Sequence, residues 1–113
     1  MEDKKLKFAA NLVPLVLSGE KTVTWRMFDD KDLKVGDNLA LIDFKTKTEF
    51  GQAKIISVRE KRFGDIQESD FDGHEEYQDK KEMLETYRSY YGNRVHNDTL
   101  VKIIKFELIK MNY

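Results

Sequence analysis

The chain has 113 residues, about the modal size of one domain and too few for two hydrophobic cores, so residues 1–113 are read as a single domain. It has no cysteine, two isolated histidines (His74 and His96), and a formal charge of −1 from 20 basic and 21 acidic residues. These counts argue against a disulfide framework, a thiolate or histidine metal centre and a globally basic nucleic-acid binder; any anion site must be local, and neither metal nor cofactor is expected. The longest apolar run, residues 12–17, contains Pro14 and is far shorter than the roughly 20 residues a bilayer demands. Met1, Glu2 and Asp3 lead into patterned sequence without an apolar leader, so a cytoplasmic monomer with no membrane span is expected.

Along the chain, Leu6, Lys7 and Phe8 begin a short strand. Leu12, Val13, Val16 and Leu17 follow at helical spacing, with Pro14 admissible in a first turn and Gly19 suited to a left-handed cap. Thr22, Val23, Thr24 and Trp25 are β-branched or aromatic and predict a strand leaving that turn. Residues 29–32 break the pattern, and Val35, Gly36 and Asp37 turn into a buried strand of Leu39, Ala40, Leu41 and Ile42. A polar connection at 45–48 leads to a long strand carrying Phe50, Ala53, Ile55, Ile56 and Val58, where Gly51 marks a bulge or sharp bend.

Residues 59–77 read as irregular and charged, longer than a usual connection, which suggests a site wall or short helices within it. Asp79 and Glu82 form a capping box; Met83, Leu84, Tyr87, Tyr90 and Tyr91 then share one helical face, favouring packing over base stacking, and Gly92 ends it. Finally Leu100, Ile104, Phe106 and Leu108 on one parity, with Val101, Ile103 and Ile109 on the other, predict a strand covered on both sides and therefore central. Five strands and two helices without a βαβ rhythm give an α+β fold, a small mixed or antiparallel β-barrel with two or three flanking helices.

The segment richest in chemistry is residues 19–26, where a glycine turn delivers Lys21, Thr24 and Arg26 within a few residues. Period two puts Thr22, Thr24 and Arg26 on one strand face and Val23 and Trp25 on the other, so Lys21 joins Thr24 only if the turn bends it inward. A cation, a hydroxyl and a guanidinium grouped in this way suit an oxyanion or a base edge. His74 and His96 are read as solvent-facing or hydrogen-bonding residues.

Gly19, Lys21, Thr24 and Arg26 match the pattern G-x-K-x-x-T-x-R, and here the chain resembles the ASCH domain family of the PUA-like superfamily. Val35, Gly36 and Asp37 before the next strand, Gly73, His74 and Glu75 before the capped helix, and the closing apolar strand extend the resemblance over nearly the whole chain. It implies a β-barrel with a cleft lined by the motif, and an RNA-linked role. One bacterial branch is similar to an amidohydrolase that removes acetyl from N(4)-acetylcytidine with a lysine, a threonine and a glutamate. On that resemblance Lys21 and Thr24 are candidate catalytic residues, with Glu75 as the carboxylate and Glu76 its neighbouring alternative. Arg26, Trp25 and Glu76 are candidate binding residues, although Trp25 has the parity of a core residue. The implied partner is RNA or a modified nucleoside. Two further readings stand beside hydrolysis: a non-catalytic RNA-binding module, and, ranked below it, a ribonuclease.

Overall fold

The structure, a computed structural model, describes residues 4–111. Met1, Glu2 and Asp3, on which the reading of the amino terminus rested, lie outside the described residues. Strand β1 (Lys4–Phe8) runs into a 3₁₀ turn (Ala10–Leu12) and a short helix α1 (Val13–Ser18), with Pro14 in its first turn. Gly19 ends α1 at φ 85°, the left-handed conformation open to glycine. The Lys21 amide then donates back to the Leu15 carbonyl at 3.0 Å, which turns the chain inward and carries the Lys21 side chain with it.

Strand β2 (Val23–Met27) pairs antiparallel with β5 (Leu100–Met111), β5 with β4 (Glu49–Arg62), and β4 with β3 (Asn38–Asp43); β1 lies parallel to β3. The order β1-β3-β4-β5-β2 makes one mixed sheet with β5 inside it, as the double apolar parity of β5 predicts. Ile104 and Phe106 face a core with Leu6, Phe8, Val16, Leu39, Leu41 and Ile55 under α1. Val101 and Ile103 face a second core with Trp25, Phe63, Met83, Tyr87 and Val95, covered by helix α2 (Lys80–Tyr91).

In a flat sheet β1 and β2, at opposite edges, would lie about 19 Å apart, four strand spacings. Yet the Arg26 guanidinium of β2 sits 4.7 Å from the centre of the Phe8 ring of β1. The sheet is therefore strongly curled, a half-barrel whose unpaired seam runs between β1 and β2. Bulges supply part of the curl: the register shifts between Leu41 and Ile42, between Gln52 and Ala53, and between Ile55 and Ser57. Gly51 sits between the first two of these, where a Cβ would lie 2.8 Å from the Lys110 carbonyl oxygen.

Two local expectations need correction. Strand β4 continues to Arg62, so the irregular stretch begins four residues later than the charge pattern suggests. Its outer half stays paired with β5, and Arg59 and Lys61 lean at period two onto the buried Asp70, at 3.0 and 2.7 Å. The remaining stretch does hold two short 3₁₀ helices, Phe63–Asp65 and Glu68–Phe71. At α2, Asp79 caps by accepting from the Glu82 amide at 2.8 Å, but the Glu82 carboxylate returns to the Gln78 amide, one residue before the cap. No helix among the described residues is long and apolar enough to cross a membrane.

Candidate functional site

The seam opens into a cavity of about 490 Å³ lined by Lys21, Thr24, Arg26, Glu75 and the aromatic rings of Phe8, Phe28, Tyr90 and Tyr91. This volume lies in the ordinary range for small-molecule sites. Lys21 is only 3% exposed; its Nζ donates to the Glu75 carboxylate at 2.6 Å and to the Val23 carbonyl at 2.8 Å. Burial lowers the Lys21 pKa from its ordinary value, and the nearby Arg26 charge adds to the drop, while Glu75 only partly offsets it. For Glu75 the balance differs. Burial pushes its carboxyl up, but the charge of Lys21 and the hydrogen bond it donates outweigh that and hold Glu75 below the usual carboxylate value.

Thr24 is buried in the β2 face that looks into the seam, and its Oγ1 accepts from Arg26 Nε at 3.0 Å. Thr24 and Arg26 thus share a face as period two requires, whereas Thr22 lies before the strand begins. Burial lowers the Arg26 pKa, with Tyr91, Tyr87 and Glu75 opposing the shift, and a guanidinium remains a cation at neutral pH regardless. Thr24 therefore sits against a fixed positive charge two residues along its own strand.

Glu75 is brought to Lys21 from 54 residues away by the loop ahead of α2. The Gly73 carbonyl accepts from both the Thr22 and Val23 amides, at 2.9 and 3.0 Å, which staples that loop to the start of β2. His74, buried, stacks on Trp25 with ring centres 3.8 Å apart. Its Nδ1 faces the Glu75 carbonyl oxygen at 2.8 Å; a carbonyl can only accept, so Nδ1 carries the proton and Nε2 accepts from the Tyr87 hydroxyl at 3.1 Å. Burial and the Lys21 charge lower the His74 pKa to about 4, which keeps the ring neutral in this role.

The structure thus brings Lys21, Thr24, Arg26 and Glu75 into one cavity. Trp25 borders it but has its side chain in the second core, as its parity foretold. Glu76 turns away: it is exposed and lines a separate depression with Glu68, Tyr77 and Lys80. Tyr90, read as a packing residue, is half exposed at the cavity, while Tyr87 is buried and supports His74. His74, read as solvent-facing or hydrogen-bonding, is buried and hydrogen-bonded at both ring nitrogens. Phe28 as a wall residue was missed, because it follows the end of β2 at a left-handed φ where strand periodicity no longer applies. Among the described residues no group of three or more His, Cys, Asp or Glu side chains is placed to hold a metal ion.

The curled five-stranded sheet is similar in fold to ASCH domain proteins of known structure. Among solved structures the chain is similar to a protein of Enterococcus faecalis V583 of the DUF984 family, at 17% identity and a TM-score of 0.82 over 99% of this chain and 83% of that one. It is similar also to the ASCH domain from Lactobacillus crispatus JV V101, at 17% identity and 0.73 over 96% and 80%, and to ASCH from Zymomonas mobilis, at 12% identity and 0.66 over 96% and 71%. No family model and no curated protein matches the chain. At such identities the likeness is one of fold, and the fold expected from the G-x-K-x-x-T-x-R motif is borne out.

Proposed function

We propose that this is an ASCH-family amidohydrolase whose cleft takes a modified nucleoside and cleaves the exocyclic amide of an acylated cytosine such as N(4)-acetylcytidine. The observation that carries this reading is the buried Lys21–Glu75 pair beside Thr24. A lysine that serves as a phosphate contact stays protonated, whereas one that moves protons is desolvated and lowered in pKa.

Proton transfer along the 2.6 Å contact turns the ammonium and carboxylate into an amine and a carboxylic acid. The Lys21 amine accepts the Thr24 hydroxyl proton as Oγ1 attacks the acetyl carbonyl, with Arg26 steadying the negative charge on the reacting oxygens. Glu75 donates its proton to the exocyclic nitrogen, the C–N bond breaks, and cytidine leaves with acetyl held as an ester on Thr24. Water, giving a proton to Glu75, then attacks the ester. Acetic acid departs as Lys21 gives a proton to the Thr24 oxygen, Glu75 passes the proton it took from water to Lys21 to restore the ion pair, and the sum is amide plus water to amine plus acid.

The test is incubation of the purified protein with N(4)-acetylcytidine, following cytidine by chromatography, beside Lys21→Ala and Thr24→Ala. Release by the wild type, with loss of at least about 100-fold in both variants, is expected for groups in direct acid–base or nucleophilic roles. No release by the wild type would sink the hydrolase and leave an RNA-binding module, to be sought by oligonucleotide affinity.

A further inference from the structure

Phe28 is a cavity residue that neither the fold nor the chemistry above employs. It follows β2 directly, and its backbone is left-handed at φ 54°, where a bulky L-residue is strained. The strain gains no burial, since the residue is 43% exposed. What the conformation achieves is to set the ring in the cavity wall.

Two contacts hold it there. Tyr91 meets the ring edge-on at 5.9 Å, and the Arg94 guanidinium lies over its face, 3.8 Å from the centre. Arg94 covers one face of the ring and is not among the residues that line the cavity, whereas Phe28 is. Backbone strain concentrates where ligands are clamped, and an exposed aromatic face beside a polar reacting centre is what a planar base stacks on.

We propose that Phe28 is the stacking platform that makes the cleft selective for a planar heteroaromatic ring, a proposal that rests on the nucleoside reading above. The base lies on the face of Phe28 that Arg94 leaves uncovered, which forms a guanidinium–phenyl–base stack. Phe28 contributes binding alone and takes no part in proton transfer.

The decisive variant is Phe28→Gly, because glycine is the residue that favours this φ and the fold survives loss of the ring. Its melting temperature is expected to equal or exceed that of the wild type. The KM for N(4)-acetylcytidine and the Kd for cytidine are expected to rise about tenfold, the lower part of what base–aromatic stacking supplies. The kcat should stay within about twofold, the signature of lost uniform binding, and Phe28→Tyr should restore KM. Wild-type binding that Phe28→Gly leaves unchanged, or a fall in kcat at constant KM, overturns the platform alone. A wild type that binds neither nucleoside overturns the nucleoside reading and the platform with it.

Discussion

At the scale of single residues the site turns on one buried charge. Lys21 is almost wholly shielded from water, whereas the Glu75 side chain keeps 21% of its surface exposed, so the two partners are not equivalent. Removing Glu75 leaves an ammonium buried with only the Val23 carbonyl for company; removing Lys21 leaves a carboxylate that water can still reach. Glu75→Gln is therefore expected to destabilise the fold by about 2–3 kcal/mol, while Lys21→Met, similar in volume and apolar, should cost under about 1 kcal/mol. Urea titrations of both variants test this, and equal losses would show that the pair is not asymmetrically solvated. His74 supplies a pH test. Its folded pKa of about 4 lies below the unfolded value near 6.5, so the unfolded chain binds the extra proton. The stability tied to a neutral His74 is present above pH 6.5 and is lost as pH falls toward 4, on the order of 3 kcal/mol over that window. The lowered carboxyls act in the same direction: those of Asp29, Asp37 and Asp70, with unfolded values of 3.8, act below this window, and that of Glu75, lowered from 4.5, acts only at its acid end. Melting temperatures from pH 6.5 to 4 should fall in the wild type and change much less in His74→Gln; parallel curves would remove His74 from the account.

At the scale of elements, the site depends on one loop crossing to one strand end, and Gly73 is the crossing point. Its φ of 79° is left-handed, and a Cβ there would collide with Thr22 Oγ1. Gly73→Ala is expected to cost at least about 2 kcal/mol, from the αL penalty plus displacement of the loop. It should also lower kcat, because the same displacement draws Glu75 off Lys21; denaturation and kinetics on one preparation check both, and full activity in a destabilised protein would separate the loop from the chemistry. This crossing also explains what the sequence reveals. Motifs written within a few residues are legible: Gly19 as a left-handed cap, Thr24 and Arg26 on one face, β5 apolar on both parities. What joins residues 21 and 75 is a pair of backbone hydrogen bonds to a carbonyl, which no side-chain pattern encodes. The choice between Glu75 and Glu76 as the neighbour of Lys21 was open for the same reason, since neighbouring loop residues point to opposite sides and only the His74 and Gly73 contacts fix which. The outer half of β4 was missed because Arg59 and Lys61, the side chains it lays over Asp70, are charged; Asp70 lies in a 3₁₀ turn that has no periodic signature.

At the scale of the whole molecule the curled sheet makes an internal cleft where a flat one would offer a face, and the balance of charge there bears on what enters. Lys7, Lys21, Lys31 and Arg26 line the cavity against Asp29, Asp30 and Glu75, a net of about one positive charge on a chain whose formal charge is −1. Lys21 is already paired with Glu75, and Asp29 is held by Lys102 at 2.8 Å. Little free cationic surface remains for a phosphate track. A polyanion bound through several phosphates releases counterions, and its affinity falls steeply with salt; an uncharged nucleoside releases none. The KM for N(4)-acetylcytidine is therefore expected to stay within about twofold between about 50 and 200 mM salt, because internal pairs in a half-closed seam are screened far less than surface charges. A cleft built to grip RNA through Lys7 and Lys31 would instead lose oligonucleotide affinity by orders of magnitude over that range. Measuring both ligands across one salt series sets the two readings against each other. A flat nucleoside KM with weak oligonucleotide binding at every salt favours a small-molecule cleft. Tight oligonucleotide binding with a steep slope would mean that the seam receives a base still attached to its strand, with the exposed lysines at the mouth holding the backbone on either side of it.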